Sequence, residues 1–493
     1  MRVLIKGAGD LATGIACRLQ LCGFDVIMTD LSIPTTVRRT VAFSPAVYEE
    51  KVEVEGVIGR LAHRPTEINE ILRKQEIAVI VDPELQYKEY YQADVVVDAI
   101  LAKKNLGTSI DDARIVIGVG PGFVAGEDCH AVVETMRGHY LGKVITKGSA
   151  IPNTGIPGNV GGYTVERIIR ATGNGVFQPI AAIGDQVTKG DLVAHSGGQP
   201  IYASMTGIVR GMLQEQVEVT TGMKCGDIDA RCEPDHCYTV SDKARAIGGG
   251  VLEAILRVSK SVGYQLEIHP SKHHVIAVVG AGGKTSLIYT LAEEFRQNHK
   301  KVIVTTTTHM MQPGTHFVPG FEKEHICEEL EQFGVITVGV PCEKGKIQGV
   351  TKSQLKEMSS LCDVLLIEAD GAHKKSMKVP TIYEPVLPDF VDLVIGMLGA
   401  SVIGKPLKEV CHRFEMAAQL LQVETDHIVS LSDLEFLLES EAGQKKGVTL
   451  EYRAVIGQGD LLKEQRKVSP GIKIVKGLQA KAGRYIEENS YED

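Results

Sequence analysis

Two glycine-rich turns, each standing between an apolar run and a helix-forming stretch, constrain what this chain can fold into. Residues 7–12 read GAGDLA and follow the β-rich run 3–5, and residues 280–285 read GAGGKT and follow the apolar run 275–279. In a strand–turn–helix unit, glycines let backbone N–H groups and the helix N-terminus approach a phosphate. Because 493 residues exceed what one hydrophobic core accommodates, the two turns predict at least two α/β nucleotide-binding domains.

The first turn predicts a Rossmann-like domain over residues 1–150. It fits the dinucleotide pattern G-x-G-x-x-[GA], and a second predicted strand, residues 25–28, leads to an acid about twenty positions past the glycines. Two interpretations stay open: a bound dinucleotide, or a Rossmann fold that keeps the tight turn without a ligand. Arg38 and Arg39 either hold a ribose phosphate, which would favour NADP, or belong to a solvated face. The candidate cofactor contacts are Gly7, Gly9, Ala12 and Asp30.

A second glycine segment of this domain, residues 118–123, leaves a predicted strand at the end where α/β proteins place ligands. An acid, a thiol and an imidazole lie just beyond it, in residues 128–130. Such a mixture is more typical of a site than of a core. We therefore expect Gly120 and Gly122 to contact a cofactor, and Cys129 to act as a catalytic thiol.

Residues 151–258 differ in character and begin in a loop dense in glycine and proline. Two similar hairpin signals, at residues 184–191 and 217–222, resemble the halves of the flattened β-barrel of biotinyl and lipoyl carrier domains. A carrier needs a lysine at the exposed turn between its halves, and none stands between Lys189 and Lys224. The sequence therefore predicts a docking or scaffolding barrel that carries no cofactor.

Three cysteines near the end of this region lie close together in the chain. Their spacing, C-x6-C-x4-C, differs from the C-x2-4-C pairs of common zinc sites. They are either a group that handles a metal or selenium, or incidental thiols. The three residues are Cys225, Cys232 and Cys237.

Glycine also marks the end of this region. Residues 248–250 are three consecutive glycines, and we expect them to interrupt a helix because each costs about 1 kcal/mol relative to alanine in a helix interior. Residues 259–272 follow as the predicted linker, which separates the barrel from a last domain over residues 273–493.

The second turn predicts that this last domain is a P-loop NTPase-like α/β domain. The turn keeps the Gly-Lys-Thr end of G-x-x-x-x-G-K-[ST], although Val278 stands at the first glycine position. A later apolar strand, residues 364–367, feeds two acids in the manner of a Walker B element. The candidate phosphate contacts are Gly280, Gly282, Gly283, Lys284 and Thr285, the candidate catalytic acids are Glu368 and Asp370, and the candidate Mg²⁺ ligands are Thr285 and Asp370.

Composition argues against several classes of partner. A formal net charge of -9 and a pI near 6.0 disfavour a general nucleic-acid-binding surface. No apolar run approaches the roughly 18 residues that a membrane-spanning helix needs. The 10 cysteines are scattered, which suits reduced thiols. We therefore expect a cytoplasmic protein with neither nucleic acid nor membrane as a partner.

Longer motifs identify a resemblance to two known families. Residues 1 to about 257 resemble the YqeB family through residues 7–14, 118–123, 134–139 and 226–231. Residues from about 273 to 493 resemble the YqeC family through residues 279–285, 306–309 and 368–371. Both families are associated with selenium-dependent molybdenum hydroxylases as accessory proteins. The chain therefore looks like a natural fusion of two partners.

The resemblance implies a role in maturing the molybdenum cofactor, or its labile selenium, of xanthine dehydrogenase-like hydroxylases, which would be the client partner. Together with the two turns it favours Mg²⁺ with ATP or another NTP in the last domain, and molybdopterin dinucleotide or NAD(P) in the first. The base and the reaction stay open, so that an NTPase and a cofactor-modifying enzyme are both compatible. The alternatives are an NAD(P)-dependent oxidoreductase fused to a kinase-like domain and a non-catalytic, nucleotide-switched scaffold.

Overall fold

The computed structural model describes residues 1–155, 158–269, 272–343, 345–371, 375–462 and 468–478. Small parts of the predicted middle domain, linker and last domain lie outside these residues. The chain divides into two compact units, Met1–Ser259 and Lys260–Asp493. Across the described ranges, no helix combines the length and the apolar character that crossing a membrane requires.

The first unit begins with a sheet flanked by helices. The strands of this sheet are β1 (Arg2–Lys6), β2 (Asp25–Asp30), β3 (Lys51–Val54), β4 (Val57–Ala62), β5 (Ile77–Val81), β6 (Val95–Asp98), β7 (Ile115–Val119), β8 (Ala131–Val133) and β9 (Val144–Ile145). The helices in this stretch are α1 (Asp10–Leu21), α2 (Ala46–Glu49), α3 (Ile68–Arg73) and α4 (Lys88–Tyr91).

Within the described residues this sheet has nine strands in the order β3-β4-β5-β2-β1-β6-β7-β8-β9. The strands from β4 to β8 in this order pair in parallel. The edge strands β3 and β9 pair antiparallel with β4 and β8, respectively. The central strands are buried along almost their whole length, as expected for a parallel sheet covered on both faces. The strand order reverses at β1, whose carboxyl end leads into residues 7–12.

The unit continues with a β-rich module and two helices. The elements are β10 (Ile168–Arg170), β11 (Gly175–Pro179), β12 (Gln186–Val187), β13 (Leu192–Ser196), β14 (Gln199–Tyr202), β15 (Gly207–Met212), β16 (Glu218–Val219), β17 (Lys224–Asp229), α5 (Asp235–Tyr238) and α6 (Asp242–Ser259). Two four-stranded sheets, β10-β17-β15-β12 and β14-β13-β11-β16, share an apolar core that includes Phe177, Val193 and Val209.

Helix α6 runs through residues 248–250, so the prediction that these glycines interrupt a helix is wrong. The physical reason is close helix packing. A Cβ atom on Gly248 would lie 2.8 Å from the Gly14 carbonyl oxygen of α1, and a Cβ atom on Gly250 would lie 2.8 Å from the Val133 Cγ1 atom of β8. The space that α6 occupies against α1 and β8 is available because these positions have no side chain.

The second unit contains a second large sheet. The strands of the unit are β18 (Val275–Gly280), β19 (Val302–Thr306), β20 (His309–Met311), β21 (Phe317–Pro319), β22 (Val335–Cys342), β23 (Lys346–Gln348), β24 (Val364–Glu368), β25 (Met377–Lys378), β26 (Leu393–Gly399), β27 (Cys411–His412), β28 (Glu451–Gly457) and β29 (Ile472–Ile474). Of these, β25 and β27 pair with each other in a separate two-stranded sheet. Its helices are α7 (Val262–Gln265), α8 (Lys284–Gln297), α9 (Lys323–Phe333), α10 (Lys352–Ser359), α11 (Leu407–Val410), α12 (Phe414–Leu421) and α13 (Leu431–Glu439).

For the part of the chain that is described, the main sheet of this unit runs β20-β23-β22-β19-β24-β18-β26-β28-β29, with β21 beside β22. The strands from β22 to β29 in this order are parallel, so their carboxyl ends meet along one edge. Residues 280–283 and Glu368 lie at that edge. Helix α7 occupies part of the predicted linker, and its Val262 and Gly263 N–H groups donate to the Glu294 carboxylate.

A mixed α/β architecture with several domains and several sheets is confirmed. The finer assignments to a Rossmann-like domain, a biotinyl/lipoyl-like barrel and a P-loop NTPase-like domain stay predictions.

Candidate functional site

The turn at residues 280–283 connects β18 to α8 and depends on its glycines. Gly280, Gly282 and Gly283 have φ angles of 97°, 83° and 118°, a region that side chains other than glycine rarely adopt. A Cβ atom on Gly280 would lie 2.8 Å from Gln444 Oε1, and one on Gly282 would lie 2.9 Å from the Ser376 carbonyl oxygen. The turn is therefore both conformationally demanding and tightly enclosed.

The turn rests on the carboxyl ends of β26 and β28. A Cβ atom on Gly399, the last residue of β26, would lie 2.9 Å from the Gly282 Cα atom, and one on Gly457, the last residue of β28, would lie 2.6 Å from the Gly282 carbonyl oxygen. Sequence reasoning did not single out Gly399 as part of the site. Its local signal is a glycine that ends an apolar strand, which is too common to identify a site.

Lys284 is the first residue of α8 and is buried. Its ammonium group donates to the Gly280 carbonyl oxygen at 2.7 Å and lies 3.2 Å from Asp370 Oδ1 and 3.8 Å from Glu368 Oε1. Burial opposes the charged form, but the attraction of Asp370 and Glu368 outweighs it and raises the pKa of Lys284. The lysine therefore remains a cation directly beneath the turn.

Thr285 and Glu368 join the turn to β24. Strand β24 pairs in parallel with β18, which sets Glu368 beside Val278. The Thr285 hydroxyl donates to Glu368 Oε2 at 2.8 Å. Desolvation by burial raises the pKa of Glu368, and the nearby Lys284 opposes that rise. A hydroxyl and a carboxylate thus meet at the first turn of α8.

Asp370 lies two residues beyond Glu368 and is almost fully buried. Its carboxylate accepts the Gly280 N–H at 2.9 Å and contacts the ammonium groups of Lys284 and Lys378, the latter at 2.9 Å. These contacts make Asp370 an anchor of the turn. The prediction that Asp370 binds a metal stays a prediction.

Three charged residues of this region escaped sequence reasoning: Lys378, Glu384 and Arg413. Glu384 Oε2 lies 3.1 Å from the Lys378 ammonium group and 2.6 Å from Arg413 Nη1. Ion pairs therefore link five residues in which positive and negative side chains alternate: Lys284, Asp370, Lys378, Glu384 and Arg413. The local signal is a lysine flanked by the apolar residues Met377 and Val379, which alone does not distinguish a site from an exposed strand.

In the first unit, the structure places Gly7 and Gly9 in the turn before α1, Ala12 in the first turn of α1, and Asp30 beside them. Gly7 has a φ of 97°, and a Cβ atom there would lie 3.2 Å from the Ala99 carbonyl oxygen. Asp30 ends β2, accepts the Ala8 N–H at 3.2 Å and accepts the Leu31 N–H at 2.8 Å. Burial raises the pKa of Asp30, and these two hydrogen bonds oppose the rise. The ribose-binding role of Asp30 and the cofactor contacts of Gly7, Gly9 and Ala12 stay predictions.

Arg38 and Arg39 form internal contacts and do not belong to a solvated face. Arg38 Nη2 donates to the carbonyl oxygens of His236 and Thr239 at 2.9 and 3.2 Å. Arg39 Nε donates to the Met212 carbonyl oxygen at 2.8 Å. Arg38 is therefore joined to α5 and the residue after it, and Arg39 is joined to β15, which leaves fewer donors for a ribose phosphate.

The second glycine segment of the first unit is also tightly packed. The Gly120 N–H donates to the Val133 carbonyl oxygen at 2.9 Å, and a Cβ atom on Gly122 would lie 2.7 Å from the Lys104 Cα atom. Cys129 is fully buried, and desolvation raises the pKa of its thiol from 9.0 to about 12. This environment does not suit a thiolate nucleophile, because the thiol stays protonated near neutral pH. The cofactor roles of Gly120 and Gly122 and the catalytic role of Cys129 stay predictions.

Cys129 is expected to resist alkylation in the folded protein. At pH 8 its raised pKa lowers its thiolate fraction on the order of 10³-fold relative to a thiol at the ordinary value. Brief treatment with iodoacetamide followed by peptide mass spectrometry should modify the exposed Cys22, Cys232 and Cys327, and should modify Cys129 only after unfolding. Modification of native Cys129 at the rate of Cys22 would contradict this expectation and support Cys129 as a nucleophile.

The three clustered cysteines of the β-rich module do not share one environment. Cys225 and Cys237 are buried and Cys232 is exposed, and burial raises the pKa of Cys225 to about 11. Among the residues that the structure describes, no group of three or more His, Cys, Asp or Glu side chains is arranged to hold a metal ion. The choice between a metal- or selenium-handling group and incidental thiols stays open.

Comparisons with known proteins assign each half of the chain to a relative. Residues 276–415 match the family model described as YqeC protein. Over 193 residues, or 37% of this chain and 73% of the relative, the chain is 34% identical to the uncharacterized protein YqeC of Escherichia coli K12. Over 254 residues, or 52% of this chain, it is 50% identical to the uncharacterized protein YqeB of the same strain. The chain covers 47% of the length of that YqeB.

A solved aspartoacylase family protein from Mesorhizobium loti matches 41% of this chain and 84% of its own, with 12% identity and a TM-score of 0.15. That likeness is too weak to carry an argument. The two stronger matches confirm the resemblance predicted from the motifs. The chain belongs to the YqeC family through its second half, which is fused to a first half related to YqeB.

Proposed function

We propose that the second unit binds a magnesium nucleoside triphosphate at residues 280–285, and that the chain is an accessory factor in the maturation of selenium-dependent molybdenum hydroxylases. The observation that carries the first part is the meeting of the Thr285 hydroxyl and the Glu368 carboxylate beside a glycine turn. The resemblance to the YqeB and YqeC families carries the second part.

The turn has the donors that a phosphate chain requires. The first N–H groups of α8 have no intrahelical partner, and the helix dipole adds positive potential at this end. Lys284 adds a full cation beneath the same turn. Glycine at positions 282 and 283 permits the left-handed backbone that the turn adopts. These features support a bound triphosphate.

The proposed protein ligands of Mg²⁺ are a hydroxyl and a carboxylate. Magnesium prefers hard oxygen ligands and usually combines one or two protein oxygens with water and phosphate oxygens. Thr285 Oγ1 and the Glu368 carboxylate provide such a pair. A bound Mg²⁺ would supply charge neutralisation between phosphate oxygens. Asp370 would keep the turn in place, because its carboxylate already accepts the Gly280 N–H and pairs with the ammonium groups of Lys284 and Lys378.

The first unit is proposed to bind a second ligand that contains a pyrophosphate, either molybdopterin dinucleotide or NAD(P). Support comes from the positive φ of Gly7 at the end of β1 and from Asp30 beside the turn. The turn also lies where the strand order reverses, which is the usual ligand position in parallel sheets. The two ligands differ in the group beyond the pyrophosphate, so direct binding of each distinguishes them.

The experiment that tests nucleotide binding compares the full chain with Lys284→Ala and Thr285→Val. We expect Lys284→Ala to weaken Mg-ATP, Mg-GTP or Mg-CTP binding by about 1.5–3 kcal/mol, because a charged hydrogen bond to phosphate is lost. We expect Thr285→Val to remove most of the gain in affinity that Mg²⁺ gives over EDTA. Isothermal titration calorimetry measures both.

The matched control for this experiment is Lys352→Ala. Lys352 lies in the same unit and pairs with Asp389 on the surface, away from the turn in the chain. Its replacement should leave nucleotide affinity unchanged. Equal affinities of the Lys284→Ala and Lys352→Ala variants would show that residues 280–285 are a structural turn.

An immature client hydroxylase separates the enzymatic role from the scaffold role. A specific observation favours the scaffold: the described hydrogen bonds already engage both acids beside the turn, Glu368 and Asp370. Turnover stimulated by the client would support a nucleotide-dependent maturation enzyme. Client binding that depends on nucleotide without turnover would support a switched scaffold. No response to the client in either assay would remove the maturation role.

A further inference from the structure

Lys378 is a fully buried lysine that the nucleotide-binding pattern does not require. Its side chain is 0% exposed, and its ammonium group lies 2.9 Å from Asp370 Oδ2, 2.6 Å from the Gly371 carbonyl oxygen and 3.1 Å from Glu384 Oε2. Taking an ammonium ion out of water costs several kcal/mol unless partners compensate. Lys378 meets this cost by pairing with two carboxylates, one of which also contacts Lys284.

Asp370 is shared by the two lysines. Its Oδ1 atom lies 3.2 Å from the Lys284 ammonium group, and its Oδ2 atom lies 2.9 Å from that of Lys378. In this arrangement Lys284 is turned toward Asp370 and the Gly280 carbonyl oxygen. A phosphate therefore has to compete with Asp370 for the charge of Lys284, and such competition is strong because buried charges are weakly screened.

Glu384 and Arg413 also help to hold Lys378 in position. Glu384 accepts from both Lys378 and Arg413, and Arg413 Nη1 also donates to the Val379 carbonyl oxygen at 2.9 Å. Burial opposes ionisation of Glu384, but its contacts with Arg413 and Lys378 outweigh burial and hold its pKa at about 2. Gln444 Nε2 donates to the Lys378 carbonyl oxygen at 2.7 Å. The ammonium group is thus fixed against Asp370.

We propose that Lys378 is a positioning residue for the nucleotide: it neutralises Asp370, so that Lys284 can leave that carboxylate for a phosphate oxygen. The inference rests on the proposed function, because it assigns a role at the same site. Without Lys378, the whole negative charge of Asp370 would act on Lys284. Lys284 would then remain paired with Asp370, and the triphosphate would lose its cation.

The test is a charge cycle in the full chain, made of Lys378→Met, Asp370→Asn and the Asp370→Asn/Lys378→Met double variant. Nucleotide affinity is measured by titration calorimetry, and folding by thermal unfolding without nucleotide. We expect Lys378→Met to weaken Mg-nucleotide binding about tenfold or more, as is usual for coupled neighbouring charges. We expect the double variant to bind within a few-fold of Asp370→Asn, because no charge remains to be neutralised.

A purely structural role of Lys378 would give a different pattern. The double variant would then bind as weakly as Lys378→Met or more weakly, and this result would overturn the inference. So would wild-type affinity in a folded Lys378→Met variant. If Lys378→Met alone does not fold, the comparison of the double variant with Asp370→Asn still decides, since a tenfold gap between them contradicts the electrostatic role.

Failure of the proposed function has its own outcome. A wild-type chain that binds no nucleotide would refute the proposed function and this inference together. A wild-type chain whose binding depends on Lys284 but not on Lys378 would refute the inference alone.

Discussion

Replacement of Gly250 by alanine is expected to destabilise the first unit by about 1–3 kcal/mol, the usual cost of an extra methyl group in a filled interior. The added Cβ would collide with the Gly142 carbonyl oxygen and lie 2.8 Å from Val133 Cγ1. Neither a backbone oxygen nor a strand residue moves aside at low cost, so α6 has to shift. Hydrogen exchange in increasing urea, read on peptides of this unit, measures the loss.

Gly249 provides a matched control one residue away. It belongs to the same helix, and a Cβ atom there would meet nothing within 4 Å. Gly249→Ala should therefore stabilise the unit by up to about 1 kcal/mol, because alanine favours the helix over glycine. Equal stability of the two variants would contradict the close approach of α6 to Gly142.

Replacement of Gly282 by alanine is expected to destabilise the second unit by roughly 2–6 kcal/mol and to abolish nucleotide binding. The left-handed backbone costs about 1–3 kcal/mol for alanine, and overpacking adds about 1–3 kcal/mol. The added Cβ would collide with the Gly399 backbone and lie 2.9 Å from the Ser376 carbonyl oxygen. The same exchange experiment, on peptides from β18 and α8, and titration with Mg-nucleotide measure the two effects.

Gly320→Ala separates the two contributions. Gly320 lies in the same unit at a φ of 78°, close to the 83° of Gly282, and a Cβ atom there would meet nothing within 4 Å. Its replacement should cost only the backbone strain and should leave nucleotide affinity unchanged. A Gly282→Ala variant that is no less stable than Gly320→Ala would show that the turn tolerates a side chain against Gly399.

The features that sequence predicted well are local. Apolar runs followed by glycine turns predicted β1 with α1 and β18 with α8, because these signals lie within about twenty neighbouring residues. The pairing of Thr285 with Glu368 was within reach, since parallel strands bring their carboxyl ends to one edge. The two strand–turn–helix predictions needed only the order of the elements along the chain.

The features that sequence missed depend on distant contacts. Lys378 and Arg413 are joined through Glu384 although Arg413 lies 29 residues further along the chain than Glu384. Local propensity disfavours glycine in helices and so predicts a break at residues 248–250, whereas packing against α1 and β8 requires glycine at Gly248 and Gly250. Arg38 illustrates the same limit: its partner His236 lies 198 residues away.

The contact between α1 and α6 has a consequence for how the protein is made. A Cβ atom on Gly14 would lie 2.6 Å from Ala244 Cβ. Helix α1, at the beginning of the first unit, is therefore covered by α6, at its end. During synthesis, α1 leaves the ribosome more than two hundred residues before its covering helix does. The sheet of the first unit therefore stays partly uncovered until residues 242–259 emerge. A fragment that stops at residue 150 would contain the dinucleotide pattern but would lack the helix that completes its fold.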